Sequence, residues 1–98
     1  MSAYVVSELE VRDPAAFERY RTLAAASIAQ YGGRYLVRGG ALEAAEGGPP
    51  PASVVIVEFP DMLLLRQWYA SPEYAAALAF RDAGLSRRLM FVEGVVPT

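Results

Sequence analysis

The 98-residue sequence contains no cysteine, no histidine, no lysine and no asparagine. Without Cys there is neither a disulfide nor a thiolate nucleophile. Without His there is no imidazole base, no axial haem histidine and no zinc site of the usual Cys/His kind. A metal site would have to rest on carboxylates alone, and neither a metal nor a cofactor is expected. No apolar run approaches the ~20 residues of a membrane-spanning helix. Met1-Ser2-Ala3-Tyr4 lacks the basic stretch and apolar core of a secretory signal. A soluble, cytoplasmic protein with no membrane partner is therefore expected. The net charge is −2 with interspersed signs, so no basic stripe is present to track a phosphate backbone, and nucleic acid is not expected as a partner. All nine cations are arginines, which together with abundant Ala, Gly and Pro fits a GC-rich coding sequence.

At this length two separate cores would each be too small to hold themselves together, so residues 1–98 are expected to form a single domain. Ala3 to Val11 alternates as a strand does, with Val5, Ser7, Leu9 and Val11 on one side and Tyr4, Val6, Glu8 and Glu10 on the other. Asp13-Pro14 then supplies a capping carboxylate and a pre-set φ, opening a helix expected to run to about Tyr31. Phe17, Tyr20, Ala24, Ile28 and Tyr31 recur on one face of it, and Gly32-Gly33 ends it.

Arg34 to Arg38 reads as a short second strand, followed by Gly39-Gly40 and a loop whose Glu46-Gly47-Gly48-Pro49-Pro50-Pro51 can join neither a helix nor a central ladder. This loop is expected to be the most flexible segment. Val54 to Phe59 has the β-branched density of a buried central strand and stops at Pro60. Asp61 caps a helix carrying Leu64, Leu65, Trp68 and Tyr69. Ser71-Pro72 repeats the cap-plus-proline signal, so a break is expected there, then a fresh helical stretch through Tyr74, Leu78 and Arg81. The final strand is expected over Leu89 to Val95.

The order is βαββαβ, an α+β arrangement in which a four-stranded antiparallel sheet carries its helices on a single face, as in ferredoxin-like folds. Alternation assigns Val5, Leu9, Val11, Tyr35, Val37, Val55, Val57, Phe59, Met90 and Val92 to the side under the helices, with Ser7 the exception among them. The opposite set mixes apolar residues with charge on every strand: Tyr4, Val6 and Glu8; Arg34, Leu36 and Arg38; Val54, Ile56 and Glu58; Leu89, Phe91 and Glu93. Left exposed, this would be a large apolar patch. Pairing two sheets face to face across a two-fold axis covers it and forms a dimeric α/β barrel, so a homodimer through the sheet face is expected.

The chain closely resembles the domain-of-unknown-function 1330 family of the dimeric α/β-barrel superfamily. The resemblance runs almost end to end and is carried by Ala3-Tyr4-Val5-Val6, Asp13-Pro14, Tyr31-Gly32-Gly33-Arg34-Tyr35-Leu36, Arg38-Gly39-Gly40, Glu58-Phe59-Pro60, Trp68-Tyr69, Ser71-Pro72-Glu73-Tyr74, Arg81 and Val92-Glu93-Gly94. It implies a ferredoxin-like protomer and a homodimer, and brings no assigned activity. Other members of the superfamily include cofactor-independent monooxygenases, muconolactone isomerases, haem enzymes and ligand-sensing domains. Members that ligate haem iron through histidine, or oxygenate with Asn or His, use side chains this chain lacks.

Candidate site residues follow from residue type and place. Arg34 and Arg38 share a strand face on the alternation pattern, and two guanidinium groups exceed what one carboxylate partner needs, which points to an anionic ligand. Glu58 ends an otherwise aliphatic strand, where burial would raise its pKa enough for proton transfer; pairing with Arg34 or Arg38 is the alternative. Trp68, Tyr69, Tyr20 and Tyr74 either line a pocket for a small aromatic ligand or fill the core. Arg81, two turns beyond Tyr74 on the same expected helical face, either ties that helix to a carboxylate on a neighbouring element or meets the ligand. Gly39, Gly40 and Gly94 read as turn or bulge residues. Two functions remain open: a cofactor-independent isomerase or monooxygenase-like enzyme acting on a small organic acid with Glu58 as base, and a non-catalytic dimeric ligand-binding or sensing module.

Overall fold

The computed structural model describes residues 1–96; the last two residues of the expected 1–98 domain lie outside the described ones. The elements are β1 (Ala3–Val11), α1 (Pro14–Gln30), β2 (Arg34–Arg38), β3 (Ser53–Phe59), α2 (Met62–Tyr69), α3 (Pro72–Leu78), α4 (Arg81–Gly84) and β4 (Leu85–Glu93). The strands form one antiparallel sheet in the order β2-β3-β1-β4. β1 is central and buries Ala3, Val5, Ser7 and Leu9 on the helix-covered face.

Local chemistry sets the helix limits. Asp13 accepts a hydrogen bond from the Ala15 N–H ahead of Pro14, which has no N–H to leave unsatisfied. Gly32, with φ +81°, turns the chain out of α1 in a conformation that favours glycine. Asp61 caps α2 by accepting from the Leu64 N–H at 2.8 Å. The buried Ser71 hydroxyl donates to the Trp68 carbonyl at 2.6 Å and accepts from the Tyr74 N–H at 3.1 Å. One side chain thus closes α2 and opens α3, with Pro72 at the first helical position. Arg81 does not continue the helix of Tyr74: α3 ends at Leu78, and Arg81 opens the separate one-turn α4.

The core joins Phe59, Leu65, Trp68 and Tyr74 to Val5, Val57, Ala24 and Ile28. Aromatic contacts dominate it, with Trp68 4.2 Å from Tyr74 and 5.3 Å from Phe59 between ring centroids.

Two strand assignments differ from the alternation pattern. A bulge between Tyr35 and Val37 inserts an extra residue in β2. Val37 consequently pairs with Ile56 on the open face, and Arg38 pairs with Val55 on the face under the helices. Arg34 and Arg38 therefore do not share a face. β4 begins at Leu85, four residues earlier than expected, and its register places Leu85, Arg87, Leu89 and Phe91 opposite Val11, Leu9, Ser7 and Val5. Met90 and Val92 belong to the open face instead. Leu89/Phe91 and Met90/Val92 are equally apolar, so alternation alone cannot choose between them; a one-residue shift of register exchanges the faces.

Gly33 tests the packing. An added Cβ would lie 2.7 Å from Ile28 Cγ2 and 2.8 Å from Phe59 Cε1, whereas at Gly40 it would meet nothing within 4 Å. Gly33→Ala is expected to destabilise by about 1–3 kcal/mol through overpacking, with Gly40→Ala close to wild type, as read from urea denaturation midpoints.

Candidate functional site

The hydrogen-bond register of the sheet sets the floor of a cavity. One cross-strand row reads Arg38, Val55, Ser7, Leu89, and the next reads Ser53, Leu9, Arg87, all on the helix-covered face. Tyr20 and Ala24 of α1 and Trp68 of α2 form the roof, and the small side chains of Ser7, Ser53 and Ala24 leave the space between unfilled. The resulting cavity is about 170 Å³ with mostly aliphatic and aromatic walls. Apolar cavities of ~150 Å³ accept a benzene-sized molecule.

At one end the polar groups converge. Tyr20 from α1, Tyr74 from α3 and Arg87 from β4 meet with the two phenol oxygens 2.7 Å apart and their rings edge to face. Arg87 donates one N–H to the Tyr20 oxygen and another to the Tyr74 oxygen, the latter at 2.6 Å. Both phenols accept from the guanidinium and share one hydroxyl proton between them, so one hydroxyl hydrogen is left over. Tyr74 is fully buried, and Tyr20 faces the cavity. Either phenol can donate the shared proton, and of the two only Tyr20 lines the cavity. Burial, followed by the neighbouring Tyr20, pushes the Tyr74 hydroxyl well above the usual phenol range, so it remains neutral.

Among the described residues Arg87 has no carboxylate partner. The ion pairs among the described residues are Arg21–Glu18, Arg34–Glu58 and Arg81–Asp82. Two phenols orient and hydrogen-bond the guanidinium, but they contribute dipoles and no negative charge. A half-buried cation held in this way favours an anion beside it. Arg38, at the other margin of the cavity, stacks on the Tyr35 ring at 4.4 Å and is likewise in none of these pairs. Among the described residues no carboxylate lines the cavity.

The other sequence candidates are distributed more widely. Glu58 lies on the opposite face of the sheet, where it accepts from Arg34 Nε at 2.7 Å and from the Tyr4 hydroxyl at 3.3 Å. The Arg34 hydrogen bond holds its carboxyl below the usual glutamate range, the reverse of the rise expected from burial. The reason is that the open face leaves it near water and beside a cation. Trp68 contributes one wall, and its indole N–H is already satisfied by Ser27 Oγ at 3.0 Å, so it offers a surface and no free donor. Tyr69 is partly exposed and packs edge to face on Phe91 at 5.3 Å, outside the cavity. Arg81 does not line the cavity, and its ion-pair partner is its neighbour Asp82 at 3.1 Å, not a carboxylate on another element.

Sequence reasoning missed Arg87 and gave Ser7 no role. Arg87 sits in phase with Leu85 and Leu89. Extending β4 back over Ser86-Arg87-Arg88 would have shown a cation on the apolar face. Among the described residues no group of three or more acidic side chains comes together to hold a metal, and no helix is long and apolar enough to cross a membrane.

The Arg34–Glu58 pair makes a pH-dependent contribution of fixed sign. Its folded-state carboxyl pKa is lowered, so the stabilisation is present above the ordinary value of 4.5 and is lost as pH falls through the folded value. Arg34 is 73% exposed, which limits and screens the effect. Urea unfolding between pH 3 and 6 is expected to show wild type and Arg34→Ala converging toward the acid end.

Comparison with solved structures places this architecture among ferredoxin-like proteins. A protein of unknown function from Rhodopseudomonas palustris matches with a TM-score of 0.77 at 21% identity, covering 98% of this chain and 84% of that one. SnoaB, a cofactor-independent oxygenase from Streptomyces nogalater, matches with a TM-score of 0.68 at 21% identity over 98% of this chain and 95% of its own. A dimeric protein of unknown function with a ferredoxin-like fold from Bacteroides fragilis matches with a TM-score of 0.64 at 16% identity over 95% and 96%. These likenesses concern the fold. No curated protein matched. The family model for the domain of unknown function DUF1330 matches residues 2–95, and the chain belongs to that family.

Proposed function

We propose that this protein takes up a small organic acid as its anion in the cavity between sheet and helices, with the charged oxygen at Tyr20 and Arg87 and the apolar body against Val5, Leu9, Val57 and Trp68. The observation that carries this reading is Arg87: a cation that, among the described residues, has no carboxylate partner and is oriented by two phenols at the end of an otherwise apolar space. Arg38 and Trp68, at the margin and in the wall, complete the ligand contacts.

The chemistry such a site supplies is stabilisation of negative charge on a ligand oxygen. No carboxylate or imidazole lines the cavity, so a general base of that kind is missing from its walls and Glu58 lies on the wrong face to act there. The alternative is a cofactor-independent isomerase or oxygenase; SnoaB, itself a cofactor-independent oxygenase, shares the fold. The enzyme reading requires a substrate acidic enough to bind as an enolate or phenolate. The missing base favours the second reading, a binding module that holds the anion without converting it.

We also propose a homodimer through the open face of the sheet. Leu36, Val37 and Val92 are exposed large apolar residues, and Val37 and Val92 share the open face of the sheet with Val6 of β1 and Val54 and Ile56 of β3. The protein of similar fold from Bacteroides fragilis is dimeric, which is consistent with a dimer here.

Two experiments test these readings. Benzoate titrated against the protein, followed by Trp68 fluorescence and by thermal shift, is expected to bind. Arg87→Met should weaken it by about 10- to 100-fold, the range for a hydrogen bond to a charged group, with Arg87→Lys retaining part of the affinity. Unchanged binding to Arg87→Met would place the anion elsewhere, and formation of a new product from an added acid under air would decide for the enzyme. Light scattering at micromolar concentration is expected to give the mass of two chains, and Ile56→Asp on the open face should give monomers; a monomeric wild type would refute the sheet-face pairing.

A further inference from the structure

Among the described residues, the Ser7 hydroxyl is the buried side-chain oxygen without a hydrogen-bond partner, although the residue is only 5% exposed. A buried hydroxyl left unpaired carries a desolvation penalty, and most such groups in folded proteins find a partner. The usual escape is closed here. Ser7 lies in the central strand, paired with Val55 on one side and Leu89 on the other, so no free backbone group of a sheet edge adjoins it. Its two row neighbours on the same face carry hydrocarbon side chains. What remains in front of the hydroxyl is the cavity whose floor it forms.

Register also sets its backbone spacing from Arg87. Arg87 stands opposite Leu9, two residues along β1 from Ser7, and such diagonal neighbours are ~7–8 Å apart. Ser7 and Arg87 are thus separate points on the floor of one cavity of about 170 Å³, a volume that suits one ring and its substituents, with mostly apolar walls.

We infer that Ser7 is a specificity-determining residue of this cavity, and that the ligand class is a small ring acid bearing a second hydrogen-bonding group, a hydroxyl, carbonyl or amine, away from its acidic oxygen. Ser7 both donates and accepts, so it pairs with any of the three. A ring acid lacking that group leaves the Ser7 hydroxyl buried and unpaired in the complex, and discrimination arises from that penalty. The inference rests on the anion-binding reading above and adds the second point of recognition.

The probes are benzoate and its meta- and para-hydroxy derivatives, titrated by calorimetry against wild type and Ser7→Ala. Wild type is expected to bind at least one hydroxybenzoate about fivefold more tightly than benzoate, the ratio for one neutral hydrogen bond. Ser7→Ala should lose that preference while binding benzoate no more weakly, and without ligand it should melt no lower than wild type, because the hydroxyl it removes has no partner to lose. A preference that survives in Ser7→Ala, the absence of any preference in wild type, or a lowered melting temperature of the unliganded variant each overturns the role of Ser7 and leaves the anion site standing. If wild type binds none of the three acids, the anion-binding reading falls, and the inference about Ser7 falls with it.

Discussion

The guanidinium of Arg87 fixes how the helical layer sits on the sheet. Taking a cation out of water is expensive unless its N–H groups are met by acceptors. Here the acceptors come from α1 and α3, elements separated by more than 40 residues, so Tyr20 and Tyr74 hold both helices against β4. The arrangement requires the break at Ser71-Pro72. An unbroken helix from Met62 onward would not carry Tyr74 along the course that α3 takes, and Ser71 makes the break inexpensive by satisfying backbone groups on both sides of it.

The two faces of the sheet handle charge differently for the same reason. On the open face Glu58 and Arg34 lie on neighbouring strands in register, and the carboxylate is additionally met by Tyr4; that pair is closed on itself. On the covered face Arg87 and Arg38 border the cavity with phenol rings for company and no acidic group. The cavity is thus cationic at its margins and apolar between them. Its existence follows from side-chain volume: a larger residue at Ser7 or Ala24 would fill it, and the neighbouring core, packed around Trp68 and Phe59, shows no comparable economy of volume.

Much of the fold was legible in the sequence, and its site much less so. Asp13-Pro14, Asp61 and Ser71-Pro72 are local signals whose hydrogen bonds close within three residues, and α1, α2 and α3 begin where they place them, whereas the one-turn α4 has no such cap. The alternation of β1 was equally direct, because every second residue of a central strand meets the same environment. Trp68, Tyr69, Tyr20 and Tyr74 read from the sequence as either pocket wall or core; Trp68, Tyr20 and Tyr74 lie in the core, Tyr20 and Trp68 also line the cavity, and Tyr69 lies outside it.

The tertiary structure decided what depends on partners distant in sequence. Whether Arg38 faces the helices rests on one extra residue in β2, and a bulge is a property of the pairing with β3, not of Arg34–Arg38 alone. Which of two equally apolar sets in β4 is covered rests on its register with β1, and that register brings Arg87 beneath Tyr20 and Tyr74. Caps, prolines and alternation act over a few residues and are written in the chain, so the sequence by itself determined the elements and their order. Register, bulge and the meeting of three elements at Arg87 are set by contacts across the whole chain, so only the folded structure determined where the cavity lies and which charges face it.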